Sequence, residues 1–289
     1  MKNNNNLKDK IKLQSYDDLF GNSGVEQVIE VPLEELHTFK DHPFLVLEDE
    51  KMAETVESIK QYGVLMPGIA RPRIGGGYEI IAGHRRKRGS ELAGRKTMPM
   101  FVRDYSDDEA IVVMVDTNIQ REDIRPSEKA KAYRMKFEAM KHQGSKGEGN
   151  TLEEIGEAAG ESGKTVQRYI WLSRLRDELL AMVDSKQIGF VQGVDISFLS
   201  EDAQKWVHDT VRTTNVSIST SQSNRLKEYG RSGALTLPMV QLILTESKPK
   251  ERKFTIKEDK LNRYFPDNYT QQDIESVIYK LLEEWQKNQ

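Results

Sequence analysis

The stretch Ile80-Ile81-Ala82-Gly83-His84-Arg85-Arg86-Lys87-Arg88-Gly89-Ser90-Glu91-Leu92-Ala93-Gly94 narrows the folding options more than any other. An apolar strand signal runs there through a glycine straight into a burst of cations. A strand that turns on glycine into a helix leaves unpaired amides at the helix start, where an anion is favoured. Arg85 and Arg88 are three apart, so they share one helix face and can grip the same phosphate group. The same side chains would also make an ordinary solvated basic face. A second polar cluster, Asp116-Thr117-Asn118-Ile119-Gln120-Arg121, tips the balance toward a ligand; it closes on an arginine and precedes a helix start at Pro126-Ser127-Glu128.

The flanking pattern predicts a small mixed α/β domain over 25–143. Val25 to Val31 alternates apolar and polar residues as a strand does, and Pro32 ends it. Met52, Val56 and Ile59 fall on one helix face, with Gly63 placed to stop the helix. Gly63-Val64-Leu65-Met66-Pro67-Gly68 leads to a short strand, Ile69 to Arg73; Gly75-Gly76-Gly77 turns the chain, and Tyr78 to Ala82 returns as the second arm of a hairpin. Met98 to Val102 reads as a further strand, Asp107 to Val115 and Ser127 to Gln143 as helices. The glycine triplet joins two strands instead of opening a helix, and no Gly-x-x-x-x-Gly-Lys-Ser/Thr loop is present, so the common nucleotide fingerprints are absent. Residues 1–24, rich in asparagine and then in charge, read as a mobile arm.

Gly144-Ser145-Lys146-Gly147-Glu148-Gly149-Asn150 has the composition of a flexible connection, which sets a boundary before a second domain at 151–247. Thr151-Leu152-Glu153-Glu154 supplies a capping box for a helix with Leu152, Ile155 and Ala159 inward and Gly160 as its stop. Ser162 caps a second helix with Val166, Ile170 and Trp171 inward. Two short helices joined by a glycine turn make a helix-turn-helix pattern, although an ordinary helical hairpin has the same signature. Ser162, Lys164, Thr165, Gln167 and Arg168 stand at the start of the second helix, where a recognition helix presents donors and acceptors to base edges. From Thr151 to Leu180 six acids face four cations, so non-specific attraction to phosphate from this segment is weak. Leu179–Val183, Ala203–Val211, Asn224–Tyr229 and Leu237–Leu244 continue the helical pattern, with a polar loop expected from Thr213 to Ser223. A last piece, 253–289, reads as a short strand at Phe254–Ile256, a turn at Phe265-Pro266, and a helix with the stripe Ile274, Val277, Ile278, Leu281, Leu282 and Trp285, which either closes the protein's own core or mates with a second copy.

Length and composition add bounds. At 289 residues two or three domains are expected. The absence of cysteine removes disulfides, thiolate metal sites and a thiol nucleophile, and suits a reducing cytoplasm. No run has the apolar length of a membrane span, so no membrane partner is expected. The net charge is −3, yet nine Lys and Arg face two acids between Arg71 and Arg103. That local excess suits a polyanion, nucleotide or DNA alike.

Gly83-His84-Arg85-Arg86 followed by Thr117-Asn118-Ile119-Gln120-Arg121, both ahead of the helix-turn-helix pattern, resembles the ParB family of DNA-partition proteins over residues 25–245. The resemblance implies an α+β N-terminal domain of ParB/sulfiredoxin-like fold, an all-α helix-turn-helix domain, and a small C-terminal α/β segment. It further implies CTP with magnesium in the first domain, a palindromic DNA site read by the second, a homodimer that closes into a sliding clamp, and a Walker-type partition ATPase docking on the N-terminal arm. Such a protein is cytoplasmic and sits on nucleoid or plasmid. Carried over, Gly83, Arg85 and Arg86 hold phosphates, with His84 in the same nucleotide-binding turn; Met66, Pro67 and Gly68 lie at the nucleotide's edge; Asn118 helps place the metal; Thr117, Gln120 and Arg121 complete that loop. In two places the chain departs from the family pattern. Thr117 stands where the family has a glutamate tied to metal binding and hydrolysis, and His84 stands where a second glutamate is common. Asp116 is adjacent but is expected to point elsewhere, so hydrolysis is expected to be weak or absent. Two other readings share these parts: a transcription or nucleoid-occlusion regulator, and an enzyme of nuclease or phosphotransfer type on the same N-terminal fold.

Overall fold

The computed structural model describes residues 28–121, 123–144, 148–246, 261, 263–266 and 268–288. The arm at 1–24, the first residues of the expected strand at 25–27 and the expected strand at 254–256 lie outside them. Residues up to Thr245 and residues from Glu246 form two separate compact units.

The first unit opens with a five-stranded mixed sheet. Its strands are β1 (Val28–Pro32), β2 (Leu36–Thr38), β3 (Gly68–Pro72), β4 (Tyr78–Ala82) and β5 (Thr97–Val102), in the order β1-β5-β3-β4-β2. The β3–β4 pair is the antiparallel hairpin expected from the glycine triplet, while β3 runs parallel to β5 and β2 parallel to β4. Side chains alternate across the sheet, as a strand's period of two requires. Ala70 and Ile80 face one core with Val31, Met98 and Met100, whereas Ile69 and Ile81 face a second core with Phe39, Met114, Tyr133 and Phe137.

Helix α1 (Glu50–Tyr62) starts on an Asp49 cap and ends at Gly63; α2 (His84–Leu92) follows β4 directly. Helix α3 (Asp107–Asn118) begins with the Ser106–Glu109 capping box and runs one turn further than expected, taking in Thr117 and Asn118. Helix α4 (Pro126–His142) has its proline in the first turn, where no amide is missed.

Helix α5 (Glu148–Ala159) begins nearly a turn before the Thr151 cap read from the sequence. Thr151 is buried within it, at 1 % exposure. The second core joins Tyr133 and Phe137 of α4 to Leu152 and Ile155 of α5 and to Val166 and Ile170 of α6 (Gly163–Leu172). Burial of that shared face, not local capping, decides where the helix starts. A bundle follows: α7 (Asp177–Asp184), α8 (Phe190–Ile196), α9 (Glu201–Thr214), α10 (Thr220–Arg231) and α11 (Leu237–Thr245). The polar loop expected at 213–223 shrinks to 215–219, between Asn215 in left-handed conformation and the Ser219–Gln222 capping box. In the second unit α12 (Gln271–Lys287) carries the expected stripe, and its Leu281, Leu282 and Trp285 are each more than half exposed.

Candidate nucleotide cavity and DNA-facing helix

The sheet brings the two sequence clusters together because β4 feeds α2 on the same side that α3 covers. Gly83 sits at the turn between β4 and α2 with φ +113°, a conformation L side chains rarely adopt. The first helical hydrogen bond of α2 runs from Lys87 N to Gly83 O, so the amides of His84, Arg85 and Arg86 precede the ladder. Beside them opens a cavity of about 1390 Å³. Its wall includes Met66, Pro67, Gly83, His84, Arg85 and Arg86 on one side and Thr117, Asn118, Gln120 and Arg121 on the other. Gly68, grouped with Met66 and Pro67 in the sequence, is instead buried in β3 and does not line it.

The arginines divide their tasks. Arg86 Nη1 donates to the carbonyls of Met66 and Pro67, both at 2.6 Å, and so fixes the 66–67 loop at the cavity's edge. Arg85, a quarter exposed, has only a long contact of 3.4 Å to Asp49 and keeps its guanidinium beside the cavity. Arg88 does not join Arg85 on a phosphate, as the three-residue spacing suggests. It is held by Glu48 at 2.5 Å and by Glu91 at 3.1 Å, and Lys87 is also on Glu91. Glu91 on the same helix and Glu48 from the loop before α1 have claimed that part of it.

At the end of α3 the Thr117 hydroxyl donates to Val113 O and Met114 O, so it is turned back on its own helix. Asn118 Nδ2 donates to Met114 O at 2.9 Å, which leaves its amide oxygen as the acceptor at that point. Asp116, expected to point away, lines the cavity and pairs with the ammonium of Lys136, which reaches the same wall from α4. The helix does not end before Thr117 but carries 116–118 through its last turn, and that places residue 116 inward. Lys136 is 4 % exposed. Its sequence signal was a lysine inside the apolar stripe of Ala132, Tyr133, Phe137 and Ala139.

His42 is a second residue that no motif marked. Its ring lies 3.8 Å from that of His84, tilted by 41°, and both line the cavity. Burial is the main cause that lowers both pKa values: His42 falls to about 4, opposed by a backbone hydrogen bond at Phe44, and His84 to about 3, with help from His42 and Lys87. Both imidazoles are therefore neutral at pH 7. Neither Nε2 has a hydrogen-bond partner.

Helix α5 forms a further wall through Glu154, Glu157 and Ala158, and Gln120 Nε2 donates to Ala158 O at 3.3 Å. The first helix of the helix-turn-helix thus stands against the cavity. A Cβ on Gly156 would meet Glu161 O at 2.4 Å, so only glycine lets α5 approach the turn this closely. Glu153 of α5 accepts from Gly163 N at 3.1 Å and fixes the start of α6. On α6, Ser162 caps the helix by accepting from Thr165 N, and the two hydroxyls lie 3.0 Å apart. Lys164 is exposed, Gln167 is half-buried, and the Arg168 guanidinium lies over the Phe190 ring at 5.4 Å. Val166 and Ile170 are buried on the opposite side. Lys164, Gln167 and Arg168, at spacings of three and four, form one polar face.

Among the described residues no group of three or more His, Asp or Glu is placed to hold a metal ion, and no helix is long and apolar enough to cross a membrane. Residues 20–119 match the family model of the ParB N-terminal domain. The chain is 31% identical over 213 residues to the probable chromosome 1-partitioning protein ParB of Deinococcus radiodurans, covering 74% of this chain and 70% of that one. It is 32% identical over 227 residues to the chromosome-partitioning protein ParB of Myxococcus xanthus, covering 76% and 74%. Among solved structures, C-terminally truncated ParB of Caulobacter crescentus, complexed to the centromeric parS site, is 25% identical with a TM-score of 0.43, covering 69% of this chain and 98% of that one. Identity of this extent to full partition proteins, on top of the matched N-terminal domain, shows that the chain belongs to the ParB family.

Proposed function

We propose that this protein is a sequence-specific DNA-binding protein of plasmid or chromosome partition whose grip on DNA responds to CTP. The observation that carries the reading is the convergence of His84, Arg85 and Arg86 with Asn118, Gln120 and Arg121 on one cavity that is also walled by α5. Arginines and helix-start amides suit phosphates. A ligand seated there touches the first helix of the helix-turn-helix, so it can bias where α6 is presented to DNA. The polar face of Lys164, Gln167 and Arg168, with Ser162 and Thr165 at the helix start, then reads base edges and phosphates in the major groove.

A homodimer on a palindromic site, closing as a clamp, and a partition ATPase docking on residues 1–24 belong to the same proposal. So does magnesium. The Asn118 amide oxygen is a hard oxygen donor of the kind that cation takes, and magnesium usually needs only one or two protein groups beside the substrate's phosphates. It would neutralise charge on the triphosphate. Thr117 cannot join, because its hydroxyl is spent on α3, and Asp116 is already tied to Lys136. A carboxylate so held is a poor base for an attacking water, so hydrolysis is weak or absent.

Arg85→Ala removes a cavity cation without touching the Arg86 clamp on the 66–67 loop. It is expected to abolish CTP binding in a filter or calorimetric assay. The double substitution Lys164→Ala with Arg168→Ala is expected to abolish recovery of a specific palindrome in a genome-wide pull-down while CTP binding persists. Unchanged CTP binding in the first variant removes the cavity assignment; unchanged enrichment in the second removes α6 as the reader.

A further inference from the structure

The paired histidines are not accounted for by a phosphate grip made of arginines and amides. A buried ring nitrogen without a partner costs free energy, and here two lie side by side, on His42 and His84, in the wall of one cavity. His84 also occupies the first position of α2, where the helix's positive end repels an imidazolium. Of the surrounding charges, Lys87 and Arg121 act in the same direction. Arg85, Arg86 and Lys87 come from α2 itself, and Arg121 from the loop after α3. Across the cavity stand Lys51 and Glu54 of α1, the Asp116–Lys136 pair, and Glu154 and Glu157 of α5. Arg85, Lys87 and Lys51 carry carboxylate partners of their own in Asp49, Glu91 and Asp123, so it is burial and the helix end, helped by Lys87 and Arg121, that hold the pair neutral in the free cavity.

An anion in the cavity reverses each of these influences. It offsets the helix end and the arginines, and a protonated ring that turns its buried Nε2 to the cavity finds in the anion's oxygens the acceptor it lacks. We propose that His42 and His84 are the proton-linked part of this site: a phosphate-type anion bound at the start of α2 draws a proton from solvent onto the paired imidazoles, so the cavity takes up anion and proton together. This rests on the cavity being the nucleotide site. It adds His42, a residue outside both motifs, to that site and gives His84 a role as donor to phosphate oxygen that a glutamate at the same position has no proton to fill at neutral pH.

The test is calorimetric titration of the full chain with CTP at pH 6.5 in buffers of different ionisation enthalpy, which counts protons taken up per nucleotide bound. The native chain is expected to take up roughly half a proton more than His84→Gln or His42→Gln, the occupancy at this pH of an imidazole whose midpoint has returned to the ordinary histidine range. Protons that belong to CTP itself appear in all three and cancel. Should the variants fold poorly, imidazole resonances of the native chain decide alone: the midpoint of His84 is expected to move up toward the ordinary histidine range on adding CTP. If the native chain binds CTP with the same proton count as the variants, or the imidazole midpoint stays put, the proposal is overturned and the nucleotide site stands. If the native chain binds no CTP, the nucleotide site and the proton-linked pair fall together.

Discussion

Helix α4 joins two polar regions that have been finished to different degrees. Lys129, Tyr133 and Lys136 lie along one stripe of it. Toward the helix-turn-helix, Glu161 takes both the Lys129 ammonium and the Tyr133 hydroxyl, at 2.9 Å for the latter, and Lys129 also lies over the rings of Tyr133 and Tyr169. Toward the cavity, Lys136 has Asp116, while the nearby wall carries two imidazole nitrogens with no partner. The contrast separates two uses of buried polar groups. A satisfied network fixes one arrangement, here the angle at which α5 and α6 leave the α/β core, whereas an unsatisfied one keeps its capacity for a further partner.

The largest expected effect breaks the cavity side. In Asp116→Asn the Lys136 ammonium loses its carboxylate while remaining buried. Removing one partner of a buried pair costs about 3 kcal/mol. The urea midpoint of the free chain should fall accordingly. CTP should then raise that midpoint more in the variant than in the native chain, because phosphate gives the freed ammonium a new partner. An unchanged midpoint would mean that water already solvates Lys136 and that the cavity is not the under-satisfied region.

Acid tests the same region by a different route. His42 and His84 titrate near 4 and 3 in the folded chain and near the ordinary value when unfolded. Below pH 6.5 the unfolded chain therefore binds protons that the folded chain refuses, and stability drops as pH falls from there toward 4; above 6.5 the pair contributes no slope. The fall from pH 6 to 5 should be about 2 kcal/mol for the two rings together. Denaturant melts of the native chain and of His42→Gln with His84→Gln measure it, the double variant showing the shallower slope. Parallel slopes would place the histidines in water.

Much of this organisation was legible in the chain. The glycine triplet announced the hairpin, Gly63 and Gly160 the helix ends, and Ser162 the cap of α6, because each of these signals acts within a few residues. The Gly83 and Asn118 clusters were visible as polar interruptions of apolar elements. What local pattern could not give was pairing across the fold. Arg88 looked available until Glu48, forty positions away, claimed it. Asp116 looked misdirected because the length of α3 depends on Val113, Met114 and Val115 filling the core, and one more turn rotates residue 116 inward. His42 stood alone in Asp41-His42-Pro43, and only the sheet brings it against His84. Helix α8 was missed for another reason: it is seven residues long, has no side-chain cap and contains Gly193.

The smallest effect sharpens the comparison from the finished side. Tyr133→Phe keeps the ring and the volume of a fully buried side chain and removes only the hydroxyl that donates to Glu161. Because Lys129 still neutralises that carboxylate, no charge is stranded, and the loss should be about 1 kcal/mol, the worth of one hydrogen bond. Glu161 lies in the turn between α5 and α6, so specific DNA affinity should weaken a few-fold while CTP affinity is unchanged. Urea melts, fluorescence anisotropy on the recovered palindrome and CTP calorimetry give the three numbers. A loss of CTP affinity matching the loss of DNA affinity would show that Lys136, one turn along the same helix, feels the change, and the two regions would then be one network that α4 transmits instead of two that it merely joins.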